Sequence, residues 1–283
     1  MSETKKYYEN KVAVVTGGAS GIGLALCEAM LASGANKVIL ADINKEKLDR
    51  ERARLEVEYP GRVLGLMCDV TSEESVKDLI AKSAAFGEGR IDILFNNAGV
   101  GLSGLFEQQT NEIWEKAFAI NFYSAIYGIR AAIPIMRAQG GGHIINVISG
   151  IAFSPMAQQS MYSATKAALN GLTLALRYEY WDENICFTSA TPGTTKTGIW
   201  AAGGIEPPKG AQTAEQSAKR ILEGVARTGS PLLADAAHLG GTDRQLHVGH
   251  GAQRHRRVRA RVHDQVADFL DRRSARVDAA HED

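Results

Sequence analysis

Three residues in the stretch 149–166 could carry out proton chemistry together. Tyr162 lies four residues before Lys166, and Ser149 lies 13 residues before Tyr162. Free tyrosine has a pKa of about 10, too high for a good base at neutral pH, but a neighbouring lysine ammonium lowers that pKa. A serine hydroxyl can donate a hydrogen bond to an oxygen on which charge develops. If the fold brings these three residues together, they have the chemistry to exchange a proton with a bound oxygen.

The same tyrosine–lysine spacing occurs a second time, in "YYENK", where Tyr7 precedes Lys11. Tyr7 lies before the first predicted strand, and no serine precedes it as Ser149 precedes Tyr162. Spacing alone therefore does not identify a site, and the surrounding elements must separate the two pairs. We expect Tyr7 and Lys11 to take no part in catalysis.

The elements that must position these residues alternate along the chain between short β-branched runs and amphipathic stretches. The runs are apolar on both faces, as is typical of parallel strands that helices cover from each side. The alternation predicts an α/β fold: a doubly wound parallel sheet of the Rossmann type with helices on both faces. The predicted strands are 11–17, 37–42, 62–70, 91–99, 142–149 and 185–193, and the predicted helices are 21–33, 44–58, 72–87, 111–139, 158–181 and 213–228.

A glycine-rich turn follows the first predicted strand and opens a helix. In "TGGASGIG" glycine stands at positions 17, 21 and 23, where a side chain would hold the backbone away from a pyrophosphate at the helix N-terminus. The strand before it and the helix after it make a nucleotide site the favoured interpretation. The predicted binding residues of this turn are Gly17, Ser20, Gly21, Ile22 and Gly23.

An acidic residue ends the second predicted strand. Asp42 stands 19 residues after Gly23, where a carboxylate can accept hydrogen bonds from the adenosine ribose diol and repel a 2′-phosphate. Neither Ile43 nor Ser20 offers the cation that a 2′-phosphate would need. The sequence therefore predicts NAD rather than NADP as the cofactor.

Composition excludes few classes of protein but gives no sign of nucleic acid or membrane partners. The 283 residues carry 32 basic and 32 acidic side chains, so the formal net charge is zero. The N-terminus has no apolar segment typical of a signal peptide, and no apolar run approaches a membrane span. Three widely separated cysteines without a CxxC motif fit reduced thiols, and no metal site is predicted. We expect a cytoplasmic location.

The composition changes near the C-terminus. From position 232 onward the chain has nine arginines and no lysine, and six of its seven histidines lie there. We expect a single dinucleotide-binding domain over 1–231 and an atypical segment over 232–283. That segment is either the product of a frameshift or an amphipathic tail helix, since Val258, Val262, Val266 and Phe269 recur at helical spacing.

The motifs together resemble those of the short-chain dehydrogenase/reductase family in its compact single-domain form. The resemblance covers roughly residues 10–230, and every motif stands in the family's order. The matching motifs are "TGGASGIG" at 16–23, "DV" at 69–70, "NNAG" at 96–99, Asn121, Ser149, "YSATK" at 162–166 and "PG" at 192–193.

The resemblance implies a role for each matching position. Asn121, Ser149, Tyr162 and Lys166 would be the catalytic set, with Asn121 holding a water that links Lys166 to solvent and Lys166 also bonding the nicotinamide ribose. It also implies a homodimer or homotetramer, commonly built on the helix that carries Tyr162. The further cofactor contacts that it implies are Asp69 and Val70 at the adenine, Asn97, Ala98 and Gly99 along the cleft wall, and Pro192, Gly193, Thr195 and Thr197 over the nicotinamide.

Two segments should determine the substrate, 150–159 and 194–212. Ile151, Phe153, Met156, Ile199 and Trp200 make them predominantly apolar, which favours an uncharged secondary alcohol or ketone. The function predicted is therefore hydride transfer between NAD(H) and such a small molecule. Two alternatives stay open: an NADP(H)-dependent carbonyl reductase and a non-catalytic nucleotide-sensing protein.

Overall fold

The fold is a six-stranded parallel sheet covered by helices on both faces. The computed structural model describes residues 3–198 and 206–228. The strands lie in the order β3-β2-β1-β4-β5-β6, and each neighbouring pair is parallel. This architecture confirms the predicted fold class. The strands are β1 (Val12–Thr16), β2 (Lys37–Asp42), β3 (Val63–Met67), β4 (Ile93–Asn96), β5 (Gly142–Val147) and β6 (Ile185–Ala190).

The helices follow the predicted stretches with one addition and one interruption. The addition is an N-terminal helix whose short polar sequence, ETKKYY, has no apolar periodicity to announce it. The interruption is a π-helical turn, Ala119–Tyr123, inside the stretch predicted as one helix over 111–139. The helices are α1 (Glu3–Tyr8), α2 (Gly21–Ala32), α3 (Lys45–Glu58), α4 (Glu73–Phe86), α5 (Asn111–Phe118), α6 (Ser124–Ala138), α7 (Ser160–Glu179) and α8 (Ala214–Thr228).

Burial on both faces explains why the strands read as continuous apolar runs. Alternate residues of β1 point to opposite faces, so that Val15 joins one core and Val14 the other. The first core packs the sheet against α1, α2, α3 and α8. The second packs it against α4, α6 and α7.

The order of the strands reverses between β1 and β4. In sheets of this kind a crevice opens at that point, outside the carboxyl ends of the strands. The glycine turn follows β1 and the segment 97–100 follows β4, so both predicted site segments lie at this edge of the sheet.

The stretch Asn111–Ala138 is long and apolar enough to cross a membrane by length and composition alone. Its α6 portion packs on α4, β4 and β5, as a core helix of an α/β fold does. The predicted boundary at 231/232 and the segment 232–283 lie outside the described residues, as do Ile199 and Trp200.

Candidate active site

Helix α7 holds Lys166 almost completely buried at the carboxyl end of the sheet. Tyr162 and Lys166 are one turn apart and so lie on one side of this helix. The Lys166 side chain is only 4% exposed, and its ammonium Nζ donates to the carbonyl oxygen of Val147 at 2.9 Å. The last residue of β5 therefore anchors the lysine that α7 supplies.

Burial changes the proton affinity of both side chains. It lowers the pKa of Lys166 to about 8. It raises the pKa of Tyr162 above the ordinary tyrosine value, and a hydrogen bond with the Ser149 side chain works in the opposite direction. Lys166 Nζ lies 5.8 Å from the centroid of the Tyr162 ring. The raised pKa of Tyr162 differs from our expectation that lysine lowers it. The reason is that the Lys166 ammonium bonds Val147 and that the phenol is desolvated.

Ser149 stands where β5 ends and the chain turns toward α7. Its backbone is extended, with φ −154° and ψ 157°, and its hydroxyl accepts from Ile151 N at 3.4 Å at the start of a short 3₁₀ turn, Gly150–Ala152. The structure thus brings Ser149, Tyr162 and Lys166 together at one end of β5. Their side chains can bind an oxygen and exchange a proton with it.

Asn121 lies in the π turn, and three hydrogen bonds hold its side chain. Its Oδ1 accepts from Val100 N at 2.9 Å, and its Nδ2 donates to Val100 O at 2.9 Å and to Thr165 Oγ1 at 3.2 Å. A Cβ on Gly99 would lie 3.1 Å from Asn121 Oδ1 and 3.4 Å from Lys166 Nζ. Asn121, Gly99 and Lys166 are therefore neighbours, and the Asn121 side chain bonds protein groups.

The glycine turn has the tight geometry that its sequence predicts. Gly17 and Gly21 have φ of +65° and +54°, which favours glycine, and a Cβ on Gly23 would collide with the Gly17 carbonyl oxygen. The turn leads into α2, where Ser20 caps without a side-chain hydrogen bond and no acidic residue lies in the first turn. The first backbone N–H groups of α2 are thus suited to bind an anion, with Ile22 in that first turn.

The segment after β4 is bonded to the end of β1. Asn97 Nδ2 donates to Thr16 O at 2.9 Å, while the backbone N–H groups of Asn97 and Ala98 donate to Thr16 Oγ1, both at 3.0 Å. A Cβ on Gly17 would lie 3.1 Å from Ala98 Cα. The predicted cleft wall and the glycine turn are therefore in direct contact.

Asp42 faces the glycine turn across the end of β2. Its two carboxylate oxygens accept from Ala19 N at 3.1 Å and from Asn44 N at 3.0 Å. Ile43 beside it is 65% exposed. A carboxylate beside an exposed apolar residue suits a ribose and an adenine.

Asp69 and Val70 follow β3 at the same edge of the sheet. Asp69 Oδ1 accepts from the backbone N–H and the hydroxyl of Thr71, and Asp69 N donates to Ser75 Oγ. Val70 packs against the second core. These bonds fix the turn that leads into α4.

The segment after β6 approaches the glycine turn through Thr197. A Cβ on Gly21 would lie 3.3 Å from Thr197 Cγ2. Thr195 is buried, and its hydroxyl bonds Gly193 O at 2.7 Å and Ser217 Oγ at 2.6 Å. Of the predicted contacts here, Thr197 therefore borders the glycine turn, Pro192 and Gly193 lead toward it, and the Thr195 side chain holds the segment to α8.

Two loops border the site, and a hydrogen bond joins them. Gly104 N donates to Gln158 O at 2.9 Å across the two loops, and within the loop after β4 Gln109 Nε2 donates to Gly104 O at 2.9 Å. Phe153 and Met156, on the loop between Ser149 and Tyr162, are 58% and 63% exposed. The loop after β4 adds exposed apolar residues that sequence reasoning missed, Leu105 and Phe106, because no motif marks them.

Comparison with known proteins identifies the family. A family model described as short chain dehydrogenase matches residues 11–205. The chain therefore belongs to the short-chain dehydrogenase family, which confirms the resemblance seen in its motifs. It is an oxidoreductase of that family.

A curated relative and two solved structures illustrate the similarity. An uncharacterized oxidoreductase of Staphylococcus aureus (strain MW2) is 38% identical over 193 residues, covering 68% of this chain and 81% of that protein. A short-chain dehydrogenase/reductase from Burkholderia phymatum, in complex with NAD, superposes with a TM-score of 0.72 at 25% identity, covering 87% of this chain and all of that one. L-Sorbose reductase from Gluconobacter frateurii, in complex with NADPH and L-sorbose, superposes with a TM-score of 0.69 at 30% identity. That match covers 76% of this chain and 89% of the reductase.

Proposed function

We propose that this protein transfers a hydride between NAD(H) and a secondary alcohol or ketone of apolar character. The observation that carries the proposal is the convergence of Ser149, Tyr162 and Lys166 at the carboxyl end of β5, beside Gly99 of the predicted cofactor cleft. Acid/base side chains next to a nucleotide-binding turn are what an alcohol dehydrogenase needs.

The residues at the carboxyl edge of the sheet fit a nicotinamide dinucleotide. Gly17, Gly21 and Gly23 keep the turn free of side chains, and the N-terminus of α2 offers N–H groups to a pyrophosphate. Asp42 would accept from the adenosine ribose. When bound, the cofactor accepts or returns the hydride.

NAD is proposed over NADP because of the charge at Asp42. Its carboxylate lies at the strand end where a 2′-phosphate would otherwise lie, and Ile43 supplies no compensating cation. One similar structure contains NAD and another NADPH, so the family allows both, and the local residues carry the choice.

The proton follows a short route through the side chains of this chain. In the direction of reduction Tyr162 Oη gives its proton to the carbonyl oxygen of the substrate; in oxidation it takes the alcohol proton. Ser149 donates a hydrogen bond to the same oxygen as charge develops there. Lys166, with a pKa of about 8, can hold or release a proton near neutral pH. Asn121 keeps Gly99 and Val100 against the lysine.

The apolar rim supports an uncharged substrate. Phe153 and Met156 are largely exposed on the loop that joins Ser149 to α7. Burying such side chains against a lipophilic substrate is favourable, whereas a charged substrate would gain little there.

The proposal is tested by measuring kcat/KM for 2-butanol, 2-octanol, cyclohexanol and 1-phenylethanol with NAD and with NADP. We expect turnover with NAD, higher kcat/KM for the larger alcohols, and at least a tenfold preference over NADP. A preference for NADP would favour the alternative of an NADP(H)-dependent carbonyl reductase. Nucleotide binding without turnover of any alcohol or matching ketone would favour a nucleotide-sensing protein.

Assembly and location are also proposals. Helix α7 carries half-buried apolar residues, Leu172 and Leu176, and an exposed Tyr178, which suits a homodimer or homotetramer formed through this helix. A cytoplasmic location fits a nicotinamide-dependent activity. Light scattering of the purified chain and fractionation of the source cells test the two.

A further inference from the structure

Thr165 lies between the two residues proposed to handle the proton, and it is completely buried. Its hydroxyl Oγ1 donates to the backbone oxygen of Tyr162 at 2.9 Å. The hydroxyl oxygen Thr165 Oγ1 also accepts from Asn121 Nδ2 at 3.2 Å. The Thr165 hydroxyl therefore donates a hydrogen bond within α7 and accepts one from Asn121, which lies 44 positions earlier in the sequence.

The partner of Thr165 is itself held at a second point. Asn121 bonds both the N–H and the carbonyl of Val100, so its amide joins the segment after β4 to α7. Val100 follows Gly99, where a Cβ would lie 3.4 Å from Lys166 Nζ. A continuous chain of bonds thus runs from Tyr162 through Thr165 and Asn121 to the backbone beside Lys166.

The backbone has been adapted to make this cross-link. Asn121 occupies the π turn that interrupts α5–α6, and it is only 2% exposed. A π turn inserts a residue and shifts the phase of the helix, and such turns are frequent at functional sites. Here the shift accompanies an inward-facing amide whose two polar atoms are both bonded within the protein.

We propose that Thr165 is a positioning residue for the reaction. Its hydroxyl holds the first turn of α7 in register with Asn121 and so fixes the placement of the Tyr162 phenol relative to the Lys166 ammonium. This inference rests on the proposed function, because it assigns Thr165 a role in the same proton transfer. Thr165 itself touches neither substrate nor cofactor in this role.

The chemistry of the hydroxyl defines the variants that test it. Valine has the shape of threonine but neither donates nor accepts, so Thr165→Val removes both bonds while filling the same space. Thr165→Ser keeps the hydroxyl. Ser163→Ala is the matched control: Ser163 is also buried on α7, but its hydroxyl donates to Gln159 O, at the N-cap of the same helix, at 2.7 Å.

The experiment measures kcat and kcat/KM against pH for the four proteins, with NAD and the alcohol of the panel that the unmodified chain oxidises fastest. We expect Thr165→Val to lower kcat about tenfold and to shift the acidic limb of the pH profile by at least half a unit, with KM for NAD within twofold. Thr165→Ser should stay within threefold of the unmodified chain, and Ser163→Ala should show neither change.

Two outcomes would overturn the positioning role while leaving the proposed function intact. In one, Thr165→Val keeps the rate and pH profile of the unmodified chain. In the other, Thr165→Val and Ser163→Ala lower kcat equally with unchanged pH profiles, which would mark a loss of packing only. If the unmodified chain oxidises no alcohol with either nucleotide, the proposed function has failed and the positioning role falls with it.

A second measurement needs no turnover. Urea unfolding of Thr165→Val, Asn121→Ala and the double variant forms a thermodynamic cycle. We expect the unfolding equilibrium constants to depart from multiplicative behaviour by at least fivefold, since the two side chains share one bond. Independent effects would contradict the cross-link, and Thr165→Ala replaces the valine variant in the cycle if the latter does not fold.

Discussion

Two tyrosine–lysine pairs with the same spacing lie at opposite ends of β5, and they have different surroundings. At the carboxyl end Tyr162 and Lys166 share one 20-residue helix, and Lys166 is buried on the carbonyl of Val147. At the amino end Tyr7 belongs to α1, but Lys11 lies beyond the end of that helix and is partly exposed, 3.8 Å from Asp92. Spacing predicts a shared face only where both residues belong to one helix.

The amino end is a closed polar network. Tyr7 Oη bonds His143 Nδ1 at 2.7 Å, His143 Nε2 bonds Thr188 Oγ1 at 2.8 Å, and Thr188 in turn bonds Thr228 at 3.1 Å. These four residues tie α1, β5, β6 and α8 together. At the carboxyl end, by contrast, burial disfavours the charge on Lys166, and two loops with exposed apolar side chains border the site. We expect the first end to serve stability and the second to serve the proposed reaction at some loss of stability.

The largest difference between the two ends of β5 should appear in kcat when the hydroxyl of Tyr162 or of Tyr7 is removed. Tyr162→Phe should lower kcat by about 10³-fold, in the range that general acid–base catalysis contributes, because it removes the hydroxyl proposed to exchange a proton with the substrate oxygen. Binding of NADH, measured by fluorescence, should stay within threefold. Tyr7→Phe should leave kcat within twofold, and comparable rates for Tyr162→Phe and the unmodified chain would contradict the assignment.

Acid should weaken the amino end through His143. Burial, followed by the charge of Arg177, lowers the pKa of this histidine to about 3, whereas the unfolded value is about 6.5. The unfolded chain therefore binds an extra proton below pH 6.5, and stability falls as the pH drops toward 3. The loss from this residue alone should reach about 2–3 kcal/mol at pH 4.5. Urea unfolding at pH 7 and pH 4.5 checks this: between the two pH values, His143→Gln should lose less unfolding free energy than the unmodified chain.

Replacing Lys166 should lower activity but raise the stability of the fold. Its pKa of about 8 lies below the ordinary 10.5, so the unfolded chain keeps this proton between pH 8 and 10.5 while the folded chain releases it. Stability should rise with pH in that window. Lys166→Met should abolish most turnover yet raise the unfolding free energy at pH 7 by about 1–2 kcal/mol, after the loss of the bond to Val147. Lys11→Met, which removes the partly exposed partner of the buried Asp92, should leave turnover unchanged.

Tyr7→Phe should give the smallest effect. It removes one buried hydrogen bond to His143 and should lower the unfolding free energy by about 1 kcal/mol. The double variant Tyr7→Phe, His143→Gln should lose less than the sum of the two single changes, because the residues share that bond. A strictly additive result would mean that the network is not coupled.

Much of the fold could be predicted because it depends on local pattern. Each observed strand lies within a predicted one, for instance Val63–Met67 inside 62–70. A strand that is buried on both faces consists of a nearly continuous run of apolar residues, which the sequence shows directly. Helix α1 could not be predicted, because its side chains bond residues far away in the sequence: Tyr7 bonds His143, 136 positions away, and Tyr8 donates to the Leu222 oxygen, 214 positions away. The π turn at Asn121 could not be predicted for the same reason, because the Asn121 side chain bonds Val100 and Thr165, which are distant in sequence.

The candidate site divides in the same way. Its residue types follow from motif spacing, and the family assignment confirms the motif order. The raised pKa of Tyr162 and the position of the Lys166 ammonium on Val147 could not be predicted, because both depend on desolvation and on contacts across β5. Which nucleotide, which alcohol and which oligomer the protein uses stay predictions for the experiments above.

The sequence by itself determined the parallel α/β architecture, the family and the residues available for chemistry, because periodicity, glycine placement and motif order are local properties of a chain. Only the tertiary structure decided that Tyr7 belongs to a structural network, that Lys166 is buried against a backbone carbonyl, and that Thr165 joins Asn121 to α7. The physical reason is that burial and hydrogen bonding depend on distances between atoms, and folding alone brings residues that are far apart in sequence within bonding distance.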